Sequence, residues 1–273
     1  MVSIAGINIA IRCEDRSFFQ LIDHRYRSFR TDGKTSFKLH THPEPGMPEI
    51  HAPLVVKGEG VDSYILKGAI EGVISVKAKV GQVFLPPDPV AFDGLLRLIA
   101  GTLLLKGGGM LLHASGVVRR SLAWVFFGPS EAGKTTITEL CRGDPVLSDE
   151  VVAVRKNDGG TYYAHSTPFR GKWKPGKPVP PAPLGALLSP RKSRRTDFER
   201  IAAPNAVKLL VPQVIMHPEI GKSSQWALGN CCDLLDSIPC FTLNFLLNTP
   251  IKETLDEIAS SHIPLSSCGV ARG

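Results

Sequence analysis

The sequence predicts an α/β protein: a larger α/β domain over residues 88–273, preceded by a small α+β domain over residues 1–87. Three observations predict it. An apolar run, Val125-Phe126-Phe127, enters a glycine-bounded loop that passes directly into a helical stretch from Lys134. From Met110 onward, strand-like and helical patterns alternate, as they do in chains that cover a sheet with helices. The first 87 residues instead show short strand-like runs separated by turns and interrupted by a single helix.

The elements follow in order. Ile4 to Ile11, Ser36 to His40, Ser63 to Lys67 and Gly72 to Ala78 alternate as strands, and Arg16 to Tyr26 is helical, with Phe18, Phe19, Leu21 and Ile22 as its apolar positions. Residues 88–106 form a helix that starts at Asp88-Pro89, stops at Gly107-Gly108-Gly109 and leads into the second domain. Met110 to Val118 and Leu122 to Phe127 are strands around the turn Arg119-Arg120-Ser121. A helix over Lys134 to Arg142 follows the loop, then a strand over Pro145 to Arg155, with Thr161 to His165 paired to it across Asp158-Gly159-Gly160. Lys174 to Pro183 is too rich in proline to be helical, and Leu184 to Leu188 is the next strand. The tail carries helices over Ala203 to Val211, Ser223 to Leu235 and Ile251 to Ser260, with a buried strand at Phe241 to Leu247.

Composition narrows the class. A chain of 273 residues with 43% hydrophobic content can bury a sizeable core, and 21% charged residues argue against wholesale disorder. The net charge is +7, and the stretch Arg170 to Arg195, with eight Lys or Arg and no acid, accounts for the excess. Such a stretch suits an anionic partner, whether phosphate, acidic peptide or nucleic acid, or else a solvated loop. Arg191-Lys192-Ser193-Arg194-Arg195 has no interleaved aromatics and no recognition-helix pattern, which disfavours nucleic acid and leaves a solvated turn or a contact to an acidic substrate. The six cysteines form no Cys-x-x-Cys pair, and Cys231 and Cys232 are adjacent, which suits neither a disulfide framework nor a zinc clip but a reducing compartment. Met1 to Arg12 lacks a signal-peptide pattern, and the apolar patch Leu95 to Leu105 is interrupted by Arg97, Gly101 and Thr102. A cytoplasmic protein that does not enter a membrane is expected. His40, His42 and His51 could offer a metal one strand face, but the prolines at 43, 45 and 48 point to a surface loop. Trp124, Trp173 and Trp226 are scattered as packing residues, with Trp173 able to line a site.

The chemistry-bearing motif is Gly128-Pro129-Ser130-Glu131-Ala132-Gly133-Lys134-Thr135, a full match to G-x-x-x-x-G-K-[ST]. Its glycines let backbone N–H groups close around phosphate oxygens. Lys134 can reach the outer phosphates, the Thr135 hydroxyl can ligate Mg²⁺, and Thr136 continues into the helix whose positive end faces the anion. Gly128 to Thr136 are therefore the candidate nucleotide-binding residues. Leu147-Ser148-Asp149-Glu150 follows on the next strand, where a carboxylate can hold Mg²⁺ or take the proton of an attacking hydroxyl. Because strand side chains alternate, Asp149 and Glu150 should face different directions.

These features, in this order, resemble the C-terminal catalytic domain of HPr kinase/phosphorylase and its HPr-kinase-related relatives. The matching pieces are Leu112-His113-Ala114, the loop Gly128 to Thr135, Ser148-Asp149-Glu150, and Ser166-Thr167-Pro168-Phe169-Arg170-Gly171, within a resemblance over about residues 90–250. The resemblance implies a phosphoenolpyruvate-carboxykinase-like P-loop fold that uses ATP and Mg²⁺ and transfers the γ-phosphoryl group to a protein or peptide serine. It implies Asp149 as the base, Lys134 and His113 beside it at the phosphates, Arg170 on the nucleotide, and Thr135, Asp149 and Glu150 at the metal. The chain departs from the family at Glu131, where the family has Gly, and at Glu150, where it has a second Asp. It also lacks the metal-binding Glu of the family's Glu-x-Arg-Gly signature, which here reads Pro168-Phe169-Arg170-Gly171, with Lys172 after it. These departures argue against HPr itself as the acceptor. They leave two alternatives open, a nucleotide-binding regulatory module with little catalysis and a small-molecule kinase, and the sequence also leaves room for a homo-oligomer.

Overall fold

The computed structural model describes residues 1–47, 55–58, 63–169, 171, 178–247 and 251–263. Arg170, Lys172, Trp173, the start of the proline-rich connector over 174–177, His51 and Cys268 lie outside the described residues. The chain divides into two units, one of Met1–Gly107 with Ile215–Trp226 and one of Gly108–Val214 with Ala227–Gly273. Both are mixed α/β structures built on mixed sheets.

In the first unit the strands are β1 (Val2–Ile4), β2 (Ile7–Cys13), β3 (Phe37–Pro43), β4 (Val55–Gly58), β5 (Ser63–Lys67), β6 (Glu71–Ser75) and β7 (Val80–Leu85), in the sheet order β1-β2-β3-β7-β6-β5-β4. β2, β3 and β7 run parallel and the remaining pairs antiparallel. The single strand expected over Ile4 to Ile11 is a hairpin instead. Ala5 and Gly6 take φ of 48° and 84°, the paired positive values of a tight two-residue hairpin turn, and Ile4 pairs Ile7 across it. β7 was not legible because Gly81 occupies one of its buried positions and breaks the apolar alternation. A side chain there would crowd Ile74 and Phe37.

Two helices complete this unit: α1 (Arg16–Tyr26) and α2 (Pro89–Lys106). Asp15 caps the first by accepting from Phe18 N at 2.6 Å, and Asp88 caps the second by accepting from Val90 N at 2.7 Å. Asp93 of α2 is buried and accepts hydrogen bonds from the Tyr26 hydroxyl and from the Arg25 guanidinium of α1, with Arg25 Nε 3.0 Å away. Phe18 and Tyr26 also pack against Phe92. These contacts tie α2 to α1, and α2 falls within the first unit, whereas the sequence starts its second domain at residue 88. Burial, and then the Asp93 charge, pushes the Tyr26 hydroxyl well above its ordinary pKa, so it stays a donor.

The second unit contains β8 (Met110–Arg119), β9 (Leu122–Phe127), α3 (Lys134–Leu140), β10 (Val146–Ser148), β11 (Val151–Lys156), β12 (Tyr162–His165), β13 (Ala182–Lys192), β14 (Asp197–Arg200), α4 (Ala203–Leu210), β15 (Cys240–Phe245) and α6 (Ile251–His262), with α5 (Ser223–Ser237) starting in the first unit's residues. β9 pairs antiparallel with β8 on one side and parallel with β13 on the other, and β13 runs parallel to β15. Trp124, Phe126, Ile137, Leu188, Phe241, Phe245 and Leu255 pack into the core around β9. The strand expected over Pro145 to Arg155 is two strands, because residues 149–150 form a bend between β10 and β11. α3 ends at Leu140 rather than Arg142, where Gly143 takes φ 96°. No described helix is long and apolar enough to cross a membrane.

The Asp93 cluster makes a direct prediction. Asp93→Ala strands Arg25 and Tyr26 without their shared acceptor, and should destabilise the protein by on the order of 2–3 kcal/mol. Urea unfolding checks this, and a midpoint equal to that of the unaltered protein would contradict it.

Candidate functional site

β9 is fully buried and delivers the chain to Gly128 at its C-terminal end. From there the backbone is left-handed at Gly128 (φ 148°), Glu131 (φ 67°) and Gly133 (φ 101°). Gly133 has no room for a side chain: a Cβ would stand 2.6 Å from the Phe245 ring of β15. A Cβ at Gly128 would stand 3.2 Å from that of Ala132, so the loop closes tightly on itself. Glu131 occupies an inner position of the loop. It adopts the left-handed conformation there at a steric cost of roughly 1–2 kcal/mol.

Lys134 does not stand open in the loop. It is only 8% exposed, because its ammonium turns back and donates to the carbonyls of Gly128 at 2.8 Å and Pro129 at 3.0 Å. Burial lowers its pKa, opposed by the charge of Glu150. The Lys134 carbonyl accepts from the Ser115 hydroxyl of β8 at 3.1 Å and from Thr138 at 3.0 Å, which anchors the start of α3 to the neighbouring strand. α3 has only seven residues, so helix-dipole assistance to an anion is smaller than the sequence suggested.

Lys134, Thr135 and Thr136 line a cleft of about 510 Å³, within the roughly 300–1,000 Å³ range of small-molecule sites. Ser130, Glu131 and Gly133 contribute from the loop, His113 from β8, Asp149 and Glu150 from the bend, and Lys192 from the end of β13. Gly128 and Pro129 do not line the cleft but supply the carbonyls that hold Lys134, and Ala132 fills the inside of the loop. His113 sits where β8 passes from its partner β11 to its partner β9, and the next residue, Ala114, donates its N–H to the Glu150 carbonyl at 3.1 Å.

Asp149 and Glu150 do not face different directions. They belong to a bend, where strand alternation does not apply, and both line the cleft. Asp149 is 8% exposed and its Oδ1 accepts the Gly171 N–H at 3.0 Å. A Cβ at Gly171 would stand 2.6 Å from Asp149 Oδ2 and 3.2 Å from Glu150 Oε2, so the two carboxylates converge on a spot that only glycine leaves open. Ser148 shapes the bend: its hydroxyl accepts the N–H groups of Glu150 at 3.2 Å and Val151 at 3.1 Å. Thr135, Asp149 and Glu150 all line the cleft and carry oxygen donors, the type that suits a hard cation. Among the described residues no cluster of three His, Cys, Asp or Glu could hold a metal by itself. In the first unit His42 stacks on Phe84 and lies 3.6 Å from Glu14, a surface contact.

Lys192, Ser115 and Gly171 were missed as site residues. Lys192 lay inside the basic run that the sequence assigns as a block. The other two act through partners far away in sequence, which no local pattern reveals.

No protein-family model matches the chain, and no curated protein matches it. Among solved structures, the HPr(Ser) kinase/phosphatase from Coxiella burnetii aligns with a TM-score of 0.32 at 10% identity, over 54% of this chain and 94% of that one. At that level of likeness nothing about function passes from that protein to this chain.

Glu131 offers a test of the loop. Glu131→Gly relieves the left-handed strain, so the melting temperature should rise by about 2–4 °C. Thermal unfolding checks this, and an unchanged or lower midpoint would contradict it.

Proposed function

We propose that this protein is an ATP-dependent kinase with a phosphoenolpyruvate-carboxykinase-like P-loop domain related to HPr kinase. In this reading it transfers the γ-phosphoryl group to a serine of a protein or peptide in the cytoplasm. The observation that carries the proposal is the convergence of Asp149, Glu150 and Lys134 on one cleft beside a strand–loop–helix turn of phosphate-binding type.

The roles follow from the chemistry. The backbone N–H groups of residues 130–136 and the Lys134 ammonium hold phosphate oxygens, with Lys134 exchanging its carbonyl partners for them. Thr135, Asp149 and Glu150 would hold Mg²⁺, which offsets phosphate charge when bound. Asp149 takes the proton of the attacking hydroxyl, while the Gly171 N–H fixes its orientation. His113 borders the same phosphates from β8, and Arg170, next to Gly171, is proposed to contact the nucleotide. The second reading, a nucleotide-binding module with little catalysis, draws its support from Glu131, whose carboxylate at the cleft opposes phosphate.

Single-turnover transfer from γ-labelled ATP, with cell extract supplying the acceptor, tests the proposal. Asp149→Asn keeps an oxygen for the Gly171 N–H, so it should retain nucleotide binding yet lose about a hundred-fold or more in transfer rate. Glu150→Gln should slow transfer less and raise the Mg²⁺ requirement. Near-normal transfer by Asp149→Asn would remove the base assignment. Label appearing only in small molecules would move the acceptor to that class, and ATP binding without any transfer would favour the regulatory module.

A further inference from the structure

We infer that Lys192 recognises the terminal phosphate of a bound nucleoside triphosphate, which makes it the residue that distinguishes a triphosphate from a diphosphate. This rests on the nucleotide-site reading above and adds to it a residue that lies outside the loop motif.

The placement of Lys192 follows from strand order. β9 lies between β8 and β13. β13 runs parallel to β9, so both strands end on the same side of the sheet, one entering the loop and the other ending at Lys192. Leu188 pairs with Phe126, and the Ser189 hydroxyl comes within 4.0 Å of a Cβ built on Gly128, so the last residues of β13 run past the start of the loop. The strand end is held in place. Lys192 pairs with Phe245, the ring that packs against Gly133, and Ser193 N donates to the Phe245 carbonyl at 2.9 Å. Lys192 is exposed and lines the cleft.

Charge gives this placement its meaning. The bend carrying Asp149 and Glu150 follows β10, which pairs with β8, so the carboxylates reach the cleft from one side of β9 and Lys192 from the other. Glu131 adds a third carboxylate, against Lys134 and Lys192 as the lysines of the cleft lining. Lys134 belongs to the loop and serves the phosphates that the loop surrounds. A further phosphate, extending beyond the loop towards the Mg²⁺ proposed at Asp149 and Glu150, still presents anionic oxygens on its other side, where a cation is needed. A lysine on a flexible stem, with its charge at the tip, suits a phosphate oxygen at that distance from its strand.

Calorimetric titration of the whole protein with MgATP and with MgADP tests this. Lys192→Ala should weaken MgATP binding by about ten-fold or more and MgADP binding by less than about two-fold, the loss of one charge-assisted contact to the third phosphate. Lys192→Arg should keep the preference for triphosphate, and equal melting temperatures should show that the exposed site is not needed for folding. Equal losses for both nucleotides, or unaltered MgATP binding by Lys192→Ala, would overturn the inference while leaving the nucleotide site standing. An unaltered protein that bound neither nucleotide would overturn both.

Discussion

Between Phe127 and Lys134 the chain turns from a fully buried strand into a helix, with left-handed backbone at Gly128, Glu131 and Gly133. The turn is possible because Gly133 has no side chain to meet the Phe245 ring, and because Ser115 of β8 holds the first helical carbonyl. The rest of the site depends on this turn. β9 carries it to the sheet edge between β8 and β13, so whatever follows those two neighbours arrives on opposite sides of the loop. The bend at residues 149–150 arrives on one side and Lys192 on the other.

The electrostatics of the cleft follow from that layout. Lys134 is desolvated, which by itself disfavours its charge, and Glu150 offsets part of that cost. Its ammonium is satisfied by two loop carbonyls, so an incoming anion exchanges partners with a buried cation that is already in position. Asp149 is equally buried, yet the Gly171 N–H gives its carboxylate a donor and fixes its direction. In the proposed reaction this fixed carboxylate is the group that would take the proton of the attacking hydroxyl.

Much of this was legible in the sequence, for physical reasons. β9, the loop and the start of α3 are encoded locally by an apolar run, two glycines and a helix-forming stretch, and α1 and α2 are bounded by residues that end helices from within the sequence itself. The bend between β10 and β11 was not legible, because apolar residues on both sides of Asp149-Glu150 continue a strand-like pattern through it. Only the Ser148 hydroxyl, accepting two N–H groups, marks the break. The Ala5-Gly6 hairpin lacks the usual Asn or Asp of such a turn, and Gly81 hides β7. Asp93 reads as a surface acid in a helical pattern but is buried against Arg25 and Tyr26. Lys192 could be separated from its basic neighbours only once strand pairing had placed it.

A crystal structure of the protein with Mg²⁺ and a non-hydrolysable ATP analogue tests the nucleotide site most directly. It should show the triphosphate wrapped by residues 128–136, the Lys134 ammonium moved from the Gly128 and Pro129 carbonyls onto phosphate oxygens, and the terminal phosphate between Asp149 and Lys192. A nucleotide bound elsewhere, with Lys134 still on those two carbonyls, would contradict it.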